Sequence, residues 1–343
     1  MGERVKVAVT GAGGRLGRAL IAALEDAPYT GPFGPVAWRR PDYDLDDPGG
    51  AARMLDRDRP EVVVHAAAWT DVDGCALDPQ LAMRRNADAV AELATACAAR
   101  GVDLILVSTN EVFAGDRTVD AGDAGGAAAS YQPDARQGPA NAYGRSKAAG
   151  EQAARAIFAA VGGIGAEARG GPVAPDGQPG ALPGGRVGTP QLAIARTAWL
   201  FGAPGADFPS RMLAAADRAI AEGRTLRLVA DEVGQPTYVP DLADAIVELL
   251  GAPVFGGTHH LTNGGAASRA DWARETFALA GIAPAIEDVP LATFERPSRP
   301  PLRAVLAPTP LPSGEPIRSR ALAMADYAPA LLRWRASQTA VTR

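Results

Sequence analysis

The chain has 343 residues, enough for one large domain or two domains of average size. Hydrophobic residues make up 47% and charged residues 21%, a balance that excludes a disordered chain even though Gly and Pro together supply about a fifth. The net charge of −5 argues against nucleic-acid binding, and no apolar run is long enough for a membrane-spanning helix.

Strand and helix patterns alternate along most of the chain. Short apolar runs predict strands at residues 5–10, 35–39, 61–65, 104–108, 192–197 and 259–261. Helical spacing predicts helices around residues 16–24 and at 48–58, 78–100, 148–160 and 241–250. This alternation predicts an α/β fold with a Rossmann-type doubly wound parallel sheet.

The same pattern suggests two domains. Residues 1–200 and 237–262 are assigned to a dinucleotide-binding Rossmann domain, and residues 201–236 and 263–343 to a smaller C-terminal substrate-binding lobe. Two segments without periodicity, 114–140 and the Gly- and Pro-rich 162–190, predict surface loops, the second of them a flexible insertion.

A glycine-rich turn follows the first predicted strand and opens the first helix. A helix N-terminus offers free backbone N–H groups and a partial positive charge, and a pyrophosphate can approach it where no side chain intrudes. The turn therefore predicts a dinucleotide cofactor. Its residues predicted to bind that cofactor are Gly11, Gly13, Gly14, Arg15, Leu16 and Gly17.

The end of the second predicted strand bears on the choice of cofactor. An acidic residue there favours NAD, whereas a basic residue accommodates the 2′-phosphate of NADP. Arg39 and Arg40 stand at this position and favour NADPH, with NADH as the alternative. Asp44 and Leu45 are expected near the adenine.

Tyr143 and Lys147 form a Y-x-x-x-K pair, four residues apart on a predicted helix and thus on one face. A neighbouring ammonium favours the phenolate, so Lys147 is expected to lower the pKa of Tyr143 and let it exchange a proton during hydride transfer to a carbonyl. Thr109 follows the strand at 104–108, where ligands of parallel sheets bind. It could hold the substrate carbonyl or, alternatively, satisfy the local backbone.

These residues resemble the extended short-chain dehydrogenase/reductases, and four further stretches resemble the dTDP-4-dehydrorhamnose reductase family. Residues 65–73 (HAAAWTDVD) are similar to its N-A-A-A-Y-T-x-V-D, and residues 142–151 (AYGRSKAAGE) to its V-Y-G-x-S-K-L-x-G-E. Residues 195–202 (ARTAWLFG) are similar to its R-T-S-W-x-Y-G, and residues 231–237 (DEVGQPT) to its D-Q-x-G-x-P-T.

The resemblance implies an enzyme that transfers hydride from NADPH or NADH to C4 of a nucleotide-linked 4-keto-6-deoxy sugar. Tyr143 would supply the proton, Lys147 would tune it and hold the nicotinamide ribose, and Thr109 would orient the carbonyl. Further cofactor-binding residues implied in this way are Ala66, Ala67, Ala68 and Asn86. The implied substrate-binding residues are Thr70, Val72, Asp73, Asn110, Glu111, Trp199, Gln235 and Arg299.

The chain departs from the family pattern after Thr109, where Asn110 and Glu111 replace the usual Asp and Tyr. Residues 109–113 also resemble the T-D-E-V-Y of sugar-nucleotide 4,6-dehydratases, although Asn110 cannot serve as their acid. Two alternatives therefore stay open: a dehydratase or epimerase, and a non-catalytic NADP-binding regulatory subunit. His65 replaces a family asparagine and is expected to be structural.

Few other signals point to partners. With three histidines in the chain a metal site is not expected, and no heptads indicate an oligomer, so a homodimer stays open. The N-terminal residues lack the pattern of a signal peptide, and two cysteines do not make a disulfide framework. We expect a cytoplasmic protein that binds neither nucleic acid nor membranes.

Overall fold

A computed structural model describes residues 5–30, 34–116, 130–162 and 189–341. The flexible insertion predicted at 162–190 lies, apart from its ends, outside these residues. So does the greater part of the loop predicted at 114–140.

A six-stranded parallel sheet forms the centre of the molecule. Its strands are β1 (Val7–Thr10), β2 (Val36–Trp38), β3 (Val62–His65), β4 (Asp103–Thr109), β5 (Leu192–Thr197) and β10 (Gly257–His260), in the spatial order β10-β5-β4-β3-β1-β2. The direction in which successive strands are added reverses at β1, with β2 on one side of it and β3 on the other. A crevice therefore opens between the carboxyl ends of β1 and β3. This sheet confirms the predicted Rossmann-type fold.

Helices cover both faces of the sheet, because its apolar strand residues point alternately to either side. On one face α1 (Arg15–Glu25) and α8 (Val239–Gly251) bury leucines and valines against β1 and β3. On the other face lie α2 (Gly50–Asp58), α5 (Ala89–Ala98) and α6 (Ala142–Ala160). The alanine-rich surfaces of α5 and α6 let these two helices pack closely.

A second core lies outside this sheet. It gathers Phe201, Leu213, Trp272 and Tyr327 among its largest members. The residues of this core come from short strands and three helices: β6 (Leu200–Phe201), α7 (Phe208–Ala221), β7 (Leu226–Val229), β9 (Thr237–Tyr238), β11 (Ala267–Ser268), α9 (Arg269–Leu279), β12 (Ile286–Val289) and α10 (Arg320–Val341). A further short strand, β8 (Val233–Gly234), pairs with β11. This core draws on the same parts of the chain as the predicted lobe, whose domain boundaries stay a prediction.

Two elements differ from their predicted bounds near the site. The helix predicted at 78–100 is divided into α4 (Pro79–Met83), a π-helical turn at Arg84–Asp88 and α5, with the short α3 (Val72–Leu77) before it. The helix predicted from residue 148 begins at Ala142, because Asn141 caps it by accepting a hydrogen bond from the Gly144 backbone N–H at 2.7 Å. Tyr143 therefore lies in the first turn of α6.

Among the residues that the structure describes, no helix has both the length and the apolar character needed to span a lipid bilayer.

Candidate active site

The glycine-rich turn after β1 meets the turn after β3 in the crevice of the sheet. Gly11 has φ +64°, and a Cβ there would lie 2.9 Å from the backbone N and Cα of Ala67. A Cβ on Gly17 would lie 2.2 Å from the Gly11 carbonyl oxygen. Only glycine at both positions allows this close approach of helix, turn and neighbouring strand end.

A cleft of about 530 Å³ opens beside this turn. Most of the residues predicted to bind the cofactor line it: Gly11, Gly13, Gly14, Arg39, Arg40, Asp44, Leu45, Ala66, Ala67 and Ala68. Three further lining residues were not predicted: Tyr43, Trp69 and Arg85. Arg85 donates to Asp46 and lies over the Trp69 ring, 5.4 Å from its centroid. Arg85 is in the π-helical turn, which helical periodicity does not reveal.

Two residues of the predicted set face away from the cleft. The Arg15 guanidinium donates to the Leu200 carbonyl oxygen at 3.2 Å, and the Leu16 side chain is buried in the core beneath the sheet. Arg15 and Leu16 therefore lie near the turn only through their backbone, at the start of α1.

Asn86 lies behind the cleft wall, in the π-helical turn. Its side-chain oxygen accepts from the Trp69 N–H at 2.8 Å, and its amide nitrogen donates to the Trp69 carbonyl and to Ser146 Oγ. Asn86 thus connects Trp69 to helix α6, so it helps to position the segment 66–69 that lines the cleft.

His65 holds the same segment from the other side. Thr10 Oγ1 accepts from the Ala67 N–H at 3.1 Å and contacts His65 Nδ1 at 2.9 Å. Burial lowers the pKa of His65 to about 3, so its ring is neutral and its Nδ1 can accept the Thr10 proton. The structural role expected for His65 agrees with this geometry.

Thr109, Tyr143 and Lys147 meet where β4 ends beside α6. The Thr109 side chain lies beside the Tyr143 hydroxyl, and both residues are buried. Lys147 Nζ donates to the Val107 carbonyl oxygen at 2.8 Å, and burial lowers the pKa of Lys147 to about 8. These three side chains were brought together by the fold as the sequence predicted.

The pKa of Tyr143 differs from the sequence expectation. It is raised rather than lowered, first by burial and then by the negative charge of Glu111, while the neighbouring Thr109 side chain acts in the opposite direction. The expectation that Lys147 sets a lowered value was wrong because it ignored desolvation of the phenolate. Tyr143 is therefore protonated at neutral pH.

Glu111 and Asn110 occupy a 3₁₀ turn directly after Thr109. The Asn110 amide nitrogen donates to the Ala304 carbonyl oxygen at 3.0 Å. Asn141 Nδ2 donates to a Glu111 carboxylate oxygen at 2.6 Å, and burial raises the pKa of Glu111. Asn110 thus contacts the protein's own backbone, whereas Glu111 lies beside Tyr143.

Two other predicted substrate-binding residues also bind backbone. Both ends of the Gln235 amide pair with Leu306, whose N–H and carbonyl lie 2.7 and 2.9 Å away. Asp73 accepts from the Ser298 N–H and pairs with Arg296, each at 3.1 Å. The resemblance pointed to Arg299 in this segment. Its side chain is exposed, and its carbonyl oxygen accepts from Asn141 Nδ2 at 3.4 Å.

Trp199 lies at the junction of the sheet and the second core. Its φ is +44°, an unusual value for a bulky residue, and its ring packs so tightly on Gly234 that a Cβ there would lie 2.5 Å away. The Arg269 guanidinium lies 3.5 Å from the ring centroid and also pairs with Glu232 at 2.9 Å.

The remaining two predicted residues lie on the α3 side. Val72 packs in a small apolar cluster with Tyr143, and Thr70 is exposed. Sequence reasoning missed Asn141, Glu232, Arg269 and Arg296, which surround Glu111. An N-cap asparagine before the Y-x-x-x-K helix was the one readable signal among them.

Known proteins resemble this chain over almost its whole length. The family model described as "RmlD substrate binding domain" matches residues 5–161 and 186–319. The dTDP-4-dehydrorhamnose reductase of Mycobacterium tuberculosis is 34% identical over 341 residues, which cover 98% of this chain and 92% of that protein.

Solved structures agree. The dTDP-4-dehydrorhamnose reductase of Clostridium acetobutylicum has a TM-score of 0.77 at 26% identity and covers 95% of this chain and 99% of its own. The Bacillus anthracis enzyme of the same name, solved in complex with NADP, has a TM-score of 0.74 at 26% identity, with 94% and 98% covered.

Proposed function

Because the chain belongs to the dTDP-4-dehydrorhamnose reductase family, we propose that it reduces the C4 ketone of a dTDP-linked 4-keto-6-deoxy sugar with NADPH. The observation that carries this proposal is the placement of the buried Thr109 and Tyr143 side chains next to each other where β4 ends, on the same edge of the sheet as the glycine cleft. A proton donor thus lies where a Rossmann-type sheet binds its ligands.

The cleft fits a phosphorylated dinucleotide. Within the described ranges no side chain covers the backbone N–H groups of the glycine turn, and Arg39 and Arg40 in the lining of the cleft can bind a 2′-phosphate. We assign the pyrophosphate to Gly11, Gly13 and Gly14, with NADH as the weaker alternative. NADPH, when bound, supplies the hydride.

Tyr143 is the group we assign to protonate the ketone oxygen. Its raised pKa keeps the hydroxyl protonated at neutral pH, which is the form that can donate. Thr109 lies beside that hydroxyl, and we propose that its own hydroxyl turns from Asn110 Oδ1, to which it donates at 3.3 Å, to give the ketone oxygen a second hydrogen bond. We assign Lys147 to stabilise the phenolate that forms, one helical turn further along α6.

The dehydratase alternative needs an acid where Asn110 stands. An amide cannot supply one, and the Asn110 side chain already donates to the Ala304 carbonyl. The regulatory-subunit alternative leaves the Thr109, Tyr143 and Lys147 arrangement without a role.

Replacement of Tyr143 by Phe tests the assignment. We expect kcat to fall about 10²- to 10⁴-fold, because the carbonyl oxygen loses its proton donor, while NADPH affinity changes little. NADPH oxidation with dTDP-4-keto-6-deoxyglucose or dTDP-4-dehydrorhamnose measures the rate, and Tyr238→Phe in the second core is the matched control. Binding of NADPH without turnover of any such ketone by the unaltered protein would favour the regulatory alternative.

We also infer a cytoplasmic location, which the two buried, unpaired thiols of Cys75 and Cys97 support. A homodimer stays a prediction.

A further inference from the structure

Glu111 is held in a fixed place beside the catalytic tyrosine. Its backbone N–H donates to Thr109 Oγ1 at 3.2 Å. Its carbonyl oxygen presses on Gly144, where a Cβ would approach it to 2.1 Å. Because Gly144 follows Tyr143 in the first turn of α6, the backbone of Glu111 lies in close contact with the residue next to that tyrosine.

The side chain of Glu111 is held by a hydrogen bond to one of its two carboxylate oxygens. Asn141 Nδ2 donates to that oxygen at 2.6 Å, while Asn141 Oδ1 caps α6. The other carboxylate oxygen has no hydrogen-bond partner among the residues that the structure describes. A mostly buried carboxyl with one unengaged oxygen can accept a hydrogen bond from a ligand.

The charged neighbours of Glu111 are already paired with other groups. Arg269 pairs with Glu232 at 2.9 Å, and Arg296 pairs with Asp73 at 3.1 Å. Burial raises the pKa of Glu111 and Glu232 adds to this rise, whereas the Asn141 hydrogen bond and these two arginines act to lower it. Tyr143 and Cys75 are the other titratable groups beside Glu111. In the described part of the chain Glu111 thus makes no ion pair of its own.

From this placement we propose that Glu111 sets substrate specificity by accepting a hydrogen bond from the hydroxyl on C3, next to the reacting ketone. The inference rests on the proposed reduction at C4. Tyr143 then marks the position of the C4 oxygen, and Glu111 lies beside Tyr143. In a 4-keto-6-deoxy sugar C5 carries a methyl group, so C3 is the neighbour of C4 that bears a hydroxyl.

The chemistry of the residue gives the selectivity its direction. In its ionised form the Glu111 carboxyl accepts hydrogen bonds and donates none, unlike the tyrosine usual at this position. A C3 hydroxyl provides a partner for its second oxygen, whereas a C3 methylene leaves that oxygen without one, and a buried polar atom without a hydrogen-bond partner weakens binding of the substrate.

The experiment compares two substrates in three proteins. The substrates are a dTDP-4-keto-6-deoxy sugar with a C3 hydroxyl and its 3-deoxy counterpart; the proteins are the unaltered chain, Glu111→Leu and Glu111→Gln. For the unaltered chain we expect kcat/KM about 10- to 100-fold higher with the hydroxyl. In Glu111→Leu the ratio should fall to near one, with turnover of the 3-deoxy sugar retained.

Glu111→Gln preserves size and provides a second readout. Removal of the negative charge lowers the pKa of Tyr143, so the alkaline limb of the kcat profile should move to lower pH. The matched control is Glu287→Gln, an exposed carboxylate in β12, which should leave both the ratio and the pH profile unchanged.

The outcomes separate this inference from the proposed function. If the unaltered chain reduces both sugars equally well, or if Glu111→Leu keeps the full preference, the role of Glu111 is wrong while the reductase assignment stands. If neither sugar is reduced, the proposed function fails and this inference fails with it.

Discussion

The cofactor cleft and the wall that we propose faces the sugar are built in different ways. The cleft is made by backbone: the turn after β1 and the turn after β3 approach so closely that Gly11 and Gly17 admit no side chain. The wall is made by side chains from α3, the end of β4, the β8–β9 region and the start of α6. Substitutions should therefore act through steric exclusion in the first region and through lost hydrogen bonds in the second.

The difference explains why the polar side chains of three predicted substrate-binding residues bind backbone groups. Asp73, Asn110 and Gln235 hydrogen bond to the backbone of residues 298, 304 and 306. We call residues 296–306 the closing segment. Bridges from Val233 and Tyr131 to Arg303 and Leu306 hold it further. These three residues position the segment in which the resemblance placed Arg299.

The largest expected effect is on the backbone-built side. Gly17→Ala places a methyl group 2.2 Å from the Gly11 carbonyl, so we expect at least about 3 kcal/mol loss of stability and at least 100-fold weaker NADPH binding. Chemical denaturation and NADPH fluorescence titration measure the two quantities.

Gly13→Ala is the matched control for Gly17→Ala, since no atom lies within 4 Å of a Cβ there. Its stability should be unchanged, and any loss of NADPH affinity then reports a direct contact with the cofactor. Equal destabilisation by both substitutions would contradict the steric account of the turn.

A smaller effect should come from the side-chain-built wall. Gln235→Leu leaves the N–H and carbonyl of Leu306 without partners, so we expect about 2–4 kcal/mol loss of stability. Denaturation measures it, with the exposed Gln152→Leu as control, expected within about 0.5 kcal/mol of the unaltered chain. A raised KM with unchanged stability would instead show that Gln235 binds substrate directly.

The difference between the backbone-built cleft and the side-chain-built wall also explains which features could be predicted from the sequence. The glycine turn, the strand-end arginines and the Y-x-x-x-K pair lie within local patterns, and the fold brings them to one edge as alternating strands and helices require. The partners of Asp73, Asn110 and Gln235 lie 225, 194 and 71 residues away. No local pattern encodes such contacts, and Arg85 was hidden because a π-helical turn breaks the helical period.

Lys147, the buried lysine of α6, gives the smallest predicted effect. Burial lowers its pKa to about 8 from a usual value near 10.5, so the folded state releases this proton at lower pH than the unfolded state. Below pH 8 both states are protonated and the full cost of the buried ammonium is present. Above pH 8 the cost is relieved until pH 10.5.

The pH dependence of stability tests this account of Lys147. From pH 7 to 9 the unaltered chain should gain roughly 1 kcal/mol relative to Lys147→Met, whose buried side chain carries no charge. Denaturation curves of both proteins at each pH measure the difference, and Lys6→Met serves as the control lysine. A difference that stays constant from pH 7 to 9 would mean that the Lys147 ammonium is compensated in the fold, by the carbonyl of Val107 and the nearby carboxylate of Glu151.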